Sequence, residues 1–223
     1  MSAIVWDKAG EKLYETGVDH GVLFLQNSDG TYGTGVGWNG LTAVNQNPSG
    51  GDANDIYADN IKYLSLRAAE DYGATIEAYT YPDEFMECDG SKEVAPGVYA
   101  GQQARKPFGF SYRTLIGSDT DGDAHGYKIH LVYNATASPS DKSYATVNDS
   151  PDAINFSWEI TTTPVALNGY KPTAHLEIDS TKADPDDLKD LEDMLYGTAN
   201  SDPTFPTPAQ VVAMFSGETG ETT

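Results

Sequence analysis

Ile154-Asn155-Phe156-Ser157-Trp158-Glu159-Ile160 is the cleanest alternating run in the chain. Ile154, Phe156, Trp158 and Ile160 fall on one side and polar residues on the other, the period of two of a half-buried strand. Thr161–Thr163 extend the run until Pro164. Ala74-Thr-Ile-Glu-Ala-Tyr-Thr-Tyr81 repeats the pattern, with Ala74, Ile76 and Ala78 on the apolar side. There Pro82 stops the strand and Gly90 suits a turn. Further strands are expected at Val22–Gln26, Ile61–Arg67, Tyr127–Tyr133 and Thr173–Asp179. The chain is therefore mainly β.

Working outward, Phe108, Phe110 and Tyr112 share one face at period two among Arg105, Lys106 and Arg113. Aromatics interleaved with bases can stack nucleic-acid bases, but a strand explains the spacing more simply. Gly33, Gly35 and Gly37 alternate without a helix behind them. They do not make a phosphate cradle; instead they leave a strand face bare where another backbone can approach.

One strong helix is expected, near 185–196. Asp184 caps it, Pro185 occupies the first turn and Gly197 lies just past the end. Leu188, Leu191 and Leu195 form its apolar stripe. We take residues 1–197 as a β domain carrying this helix and 198–223 as a C-terminal extension. Within that extension a second helix is expected over 208–215, capped by Thr207.

Two loops stand out. Asn45–Asn60 is polar and longer than a plain hairpin connection. Ser118–His125 carries Asp119, Asp121 and Asp123, yet it lacks the glycine and glutamate positions of an EF-hand, so an acidic hairpin turn is the simpler reading.

Charge narrows the function. The 34 acidic and 13 basic residues give a formal net charge of -21. Binding to a phosphate backbone draws on lysine and arginine, so a nucleic-acid-binding role is excluded. Cys88 is the only cysteine, which leaves no intrachain disulfide and no thiolate zinc cluster. The first residues show no secretory pattern, and no run nears the roughly 20 apolar residues that span a bilayer. Assembly in a cytoplasm is expected. No nucleophile motif and no His-Glu-x-x-His occurs, so no enzyme, cofactor or metal is expected.

Six segments, taken in order, carry a resemblance. They are Gly37-Trp-Asn-Gly-Leu-Thr-Ala-Val-Asn45 with Tyr57-Ala-Asp-Asn-Ile-Lys-Tyr-Leu64, Gly73 to Phe85, Arg105-Lys-Pro-Phe-Gly-Phe-Ser-Tyr-Arg-Thr114, Asp190-Leu-Glu-Asp-Met-Leu-Tyr-Gly197 and Pro206-Thr-Pro-Ala209. Together they resemble the major tail tube proteins of long-tailed phages and prophages of Gram-positive bacteria. The resemblance implies a tail-tube β-sandwich or barrel with a flanking α-helix, an α+β chain dominated by strands. It also implies hexameric rings stacked into a hollow tube that conducts DNA during ejection. Some relatives add an immunoglobulin-like domain; the stretch after Gly197 is too short for one.

The partners so implied are other copies of the chain, a tape measure protein, a tail terminator and distal tail proteins, with double-stranded DNA passing through unbound. The location implied is the virion tail. Asn47, Pro48, Asp52, Asp55 and Tyr57 are then expected at contacts between rings, and Glu77, Asp119, Asp121, Asp123 and Glu159 on the lumen. A carbohydrate-binding β-sandwich at the cell surface and a β-fold hydrolase are the competing readings. The first calls for an export signal and the second for a convergent acid–base site.

Overall fold

Trp158 sits directly opposite Ile76, and Ile160 opposite Ala74, on neighbouring antiparallel strands. The two alternating runs thus share one buried face. The computed structural model describes residues 4–147, 149 and 152–217, so the last six residues of the expected C-terminal extension lie outside it.

In chain order, β1 (Leu13–Leu25), β2 (Val36–Trp38) and β3 (Leu41–Gln46) precede β4 (Ser49–Gly50), β5 (Ala53–Ala58), β6 (Ile61–Arg67) and β7 (Glu70–Asp71). Next come β8 (Gly73–Ala78), a short helix α1 (Phe85–Cys88), β9 (Lys92–Ala95) and β10 (Val98–Ala100). The long pair β11 (Phe108–Ser118) and β12 (Gly122–Ala137) leads to β13 (Phe156–Thr162) and β14 (His175–Asp179). Two helices follow, α2 (Pro185–Tyr196) and α3 (Pro208–Ser216).

Eight strands form one antiparallel sheet in the order β2-β1-β11-β12-β13-β8-β3, with β14 also beside β12. The sheet curls back on itself. A Cβ on Gly21 of β1 would lie 2.5 Å from the Leu41 side chain of β3, which shows how closely these two strands, far apart in the order, approach.

Two cores result, one inside the curl and one outside. Leu23, Trp38, Ile76, Phe108, Phe110 and Trp158 fill the inside together with Phe85 of α1. Phe85 packs edge-on to Trp158 with ring centroids 5.1 Å apart. Phe24, Ile129, Leu131 and Tyr133 face outward and are covered by Leu188, Leu191 and Leu195 of α2 and Val211 of α3. As expected for a strand, Phe108, Phe110 and Tyr112 are all buried.

β12 serves both cores through one irregularity. Ile129, Leu131 and Tyr133 face outward while Val132 faces inward, so strict alternation would carry Asn134 and Thr136 inward as well. Instead three residue steps along β12, from Val132 to Ala135, span two along β11, from Phe110 to Phe108. Asn134 takes the extra place with a φ of 47°, which returns Ala135 and Ala137 to the inner core. The polar bulge is held in place: Tyr32 Oη accepts from the Asn134 amide and donates to Asn134 Oδ1, both at 3.0 Å.

Both helices start and stop as the sequence predicts. Asp184 accepts a hydrogen bond from the Asp186 amide at 2.9 Å, and Gly197 ends α2 with a φ of 74°. At α3, Thr207 and Gln210 cap each other reciprocally. Among the described residues no helix is long and apolar enough to cross a membrane.

Candidate assembly surface

The expected loop at Asn45–Asn60 is mostly strand. β3 runs on to Gln46, β4 pairs with β7, and β5 pairs with β6 along its whole length. The tight connection expected after Arg67 is the returning leg of the same structure. The segment is thus a β-arm that leaves the sheet after β3 and returns into β8. Its tip is the two-residue turn Asp59–Asn60, whose φ values of 52° and 64° make the double-positive turn that suits a hairpin's twist. At its base Gly50 has a φ of 78°, and a Cβ there would lie 2.5 Å from the Ala69 carbonyl oxygen.

The two faces of the arm differ. The cross-strand partners Asn54–Leu66, Ile56–Leu64 and Ala58–Ile61 share one face, which is largely apolar. Ile61 and Leu66 are the most exposed of its side chains, at 64% and 54%, while the cross-strand partners Ile56 and Leu64 are partly covered, at 38% and 37%. On the other face the Asp55 carboxylate accepts from Lys62 Nζ and Ser65 Oγ, each at 2.7 Å. These contacts, Lys62 first, hold the Asp55 carboxyl below its ordinary range. A lone two-stranded hairpin is at best marginally stable in water, so a bare apolar face on one calls for a partner.

Charge marks the same place. Residues 53–67 hold two acids, Asp55 and Asp59, and two bases, Lys62 and Arg67, so the arm is neutral in a chain of net charge -21. Two copies of such a chain meet at least electrostatic cost through a neutral patch. Of the residues expected at contacts, Asp55 and Tyr57 lie on β5, Asp52 sits just before it, and Asn47 and Pro48 sit at the root. The Asn47 amide donates to Thr75 Oγ1 at 2.9 Å, which ties that root to β8. The exposed apolar side chains of the arm were missed in the sequence, although the Asp59–Asn60 turn between two partly apolar runs signals a hairpin.

The expected lumen acids fall into two groups that the fold keeps apart. Glu77 and Glu159 share the outward face of β3, β8 and β13, where Glu77 is diagonal to Glu159 across the register Glu159–Thr75. Asn45 and Asn155 each donate to Glu77, at 3.1 and 2.9 Å, and Thr42 donates to Asn155 at 2.9 Å. These three strands contain no lysine or arginine. Their outward face is a wall of amides, hydroxyls and two carboxylates.

Asp119, Asp121 and Asp123 lie at the tip of the β11–β12 hairpin, by the opposite end of β12 from its pairing with β13. Their carboxylates hold chain in place. Asp119 accepts from the Gly10 amide at 3.0 Å, and Asp123 from Tyr14 Oη at 2.9 Å. Asp121 is bonded to His125 and Ser118, which keep its carboxyl below the usual range. Among the described residues no group of three or more His, Cys, Asp and Glu side chains is placed to hold a metal ion.

The basic segment is neutralised from within. Arg105 pairs with Asp89 at 3.4 Å and Lys106 with Glu87 at 3.2 Å, while Lys142 also reaches Asp89. Arg113 pairs with Asp19 at 2.8 Å.

No protein-family model and no curated protein matches the chain. Among solved structures it is similar to a chain of the PVC sheath/tube terminator of an extracellular contractile injection system, extended state, at 9% identity and TM-score 0.34, over 79% of this chain and 99% of that one. A second similar chain comes from the baseplate of the anti-feeding prophage, at 6% identity and TM-score 0.35, over 80% and 97%. A third comes from the PVC sheath-tube complex, extended state, at 11% identity and TM-score 0.31, over 72% and 88%. At such identities and scores these three carry no weight for function.

Proposed function

We propose that the chain is a structural, self-assembling protein of a phage-type tail tube, in which copies join as hexameric rings and the rings stack. The observation that carries this reading is the β-arm of residues 49–71, whose outer hairpin, residues 53–67, has exposed apolar side chains and no net charge. A monomer gains nothing from such a face; a neighbour that covers it gains about 25 cal/mol for each Å² of apolar surface buried. In this reading the wall of β3, β8 and β13 lines the channel. A wall without cations gives the phosphates of a passing duplex nothing to bind, so DNA slides through it.

Tape measure, terminator and distal tail proteins are the partners this reading assigns, the virion tail is its location after assembly in the host cytoplasm, and it assigns no catalysis. The test is size-exclusion chromatography over a concentration series followed by negative-stain microscopy. Rings and tubes are expected. A strictly monomeric protein at every concentration contradicts the reading.

A further inference from the structure

Two features have no use in the arm. The first is an open groove of about 390 Å³ between β14 and α3, floored by Leu176 and Ile178 and walled by Val211, Val212 and Phe215. Among the described residues β14 has a strand partner on one side only, β12. The Tyr133 amide donates to the Ala174 carbonyl and the Ser180 amide to the Tyr127 carbonyl, both at 2.9 Å. Those bonds set the phase of the ladder: Ala174, Leu176, Ile178 and Ser180 turn their amides towards β12, and Glu177 turns its N–H and C=O away. The groove therefore runs beside a strand whose outer edge is open at Glu177. On either side of it, His175 is bonded to the Thr173 hydroxyl, and the Asp179 carbonyl accepts from the Lys182 and Ala183 amides. An added segment thus has the backbone groups of Glu177 to pair with.

The second feature is Ile4-Val5-Trp6-Asp7-Lys8. Ile4 and Trp6 are about three-quarters exposed, at 75% and 76%, and Val5 is also exposed. These three consecutive apolar residues are thus all exposed among the described residues.

We propose that the groove takes the segment Ile4–Lys8 of a second copy of this chain, laid along the open edge of β14. Ile4, Val5 and Trp6 supply apolar side chains to the groove. Asp7 and Lys8 then meet the opposite charges Lys182 and Asp184 at its end. The chain's own Trp6 falls short of β14. Gly10 is fixed at the β11–β12 tip by the Asp119 carboxylate. Trp6, four residues before Gly10, reaches about 14 Å at full extension. The end of β14 pairs with Lys128, six residues along β12 from Gly122, which is about 20 Å.

This inference rests on the self-assembly reading but not on the arm, and the two are separable by experiment. Val5→Cys and Val212→Cys variants are prepared separately, mixed and oxidised. Cys88 does not interfere, because burial pushes its thiol up to about 12 and leaves it without access. The expected result is a disulfide heterodimer several-fold in excess of that from a control mixture of Val5→Cys with Val94→Cys, an exposed site on β9. Trp6 is the one exposed tryptophan beside buried Trp38 and Trp158, so unmodified protein should also show a blue shift in emission as concentration rises. An intrachain disulfide in monomers of the doubly substituted protein overturns the proposal in favour of the chain's own segment. Rings and tubes without any excess of heterodimer overturn the proposal and leave the arm reading standing. Unmodified protein that stays monomeric throughout overturns both.

Discussion

Arg113 donates two parallel hydrogen bonds to Asp19, Nε to Oδ1 at 2.8 Å and Nη2 to Oδ2 at 2.9 Å. The two residues are also register partners of β11 and β1, and the pairing shifts on both sides of them. Within the second of those shifts His20 holds a φ of 51°. The ion pair thus pins β1 where its ladder is broken. Arg113 also lies 5.0 Å from the centroid of the Tyr127 ring, and Tyr127 Oη donates to Glu192 of α2 at 2.8 Å. One guanidinium therefore connects β1 and β11 to the strand that holds the helix.

Replacing Arg113 with Ala should lower stability by about 1–2 kcal/mol, the scale of a bidentate pair that is only partly screened by solvent. The Arg113 bond chiefly lowers the Asp19 carboxyl, so its contribution is present above the unfolded carboxylate range near pH 4 and is lost as pH falls through the folded value. Denaturant midpoints for the unmodified protein and Arg113→Ala should therefore converge once the pH falls below the lowered Asp19 range. A constant gap between them at all pH values would argue against the pair.

His130 and His175 make a second, deeper pH-dependent contact. Their ring nitrogens are 3.2 Å apart, and the rings stack between Tyr112 and Tyr72. Burial first, and then the neighbouring His130, push His175 down to about 4, while burial also lowers His130 against the pull of Glu177. A depressed histidine favours the neutral form in the fold, so the unfolded chain binds more protons as pH drops. Stability should hold above about pH 6.5 and then fall through pH 4 by up to about 1.4 kcal/mol per pH unit for each histidine. His175→Phe should flatten that slope in thermal melts; an unchanged slope would mean that the pair does not control acid unfolding.

The inner core should be least forgiving at Trp158. Its ring meets Trp38 at 5.6 Å and Phe85 at 5.1 Å, and the residue is fully buried. Trp158→Ala should cost about 3–5 kcal/mol, whereas Tyr144→Ala, in an exposed loop, should change stability by less than about 0.5 kcal/mol. Equal effects in chemical denaturation would mean that the buried face of β13 is misassigned.

The separation of the acids gives a test of the wall. Glu77→Lys and Glu159→Lys should make assembled tubes retain duplex DNA, with log affinity falling by about 0.9 per log unit of salt for each phosphate contact. Asp121→Lys, at the hairpin tip, should not. Retention by the tip variant alone would place the channel at the other end of β12.

Much of this architecture is legible in the sequence, for local reasons. β8 and β13 are half buried, so Ile76 and Trp158 alternate with Glu77 and Glu159. Asp184, Pro185 and Gly197 bracket α2 because helix ends need partners for their free backbone groups. The arm reads as loop because β5 is polar and exposed, with a pairing fixed by β6 and the Asp59–Asn60 turn rather than by burial. The inward turn after Val132 is equally hidden, since only the contact with Tyr32 reveals that Asn134 is a bulge. The outward wall is legible as acids at Glu77 and Glu159. What separates them from Asp119, Asp121 and Asp123 is sheet topology, which no local pattern encodes.

The arm carries the central claim, and two substitutions on its bare face test it most directly. In the Ile61→Asp, Leu66→Asp double variant both changed side chains are mostly in solvent in the monomer, so the melting temperature should stay within a few degrees of the unmodified protein. Self-association, followed by sedimentation velocity across a concentration series, should weaken by at least tenfold, with tubes lost in negative stain. Tubes of unmodified stability and abundance from a folded double variant would contradict the account.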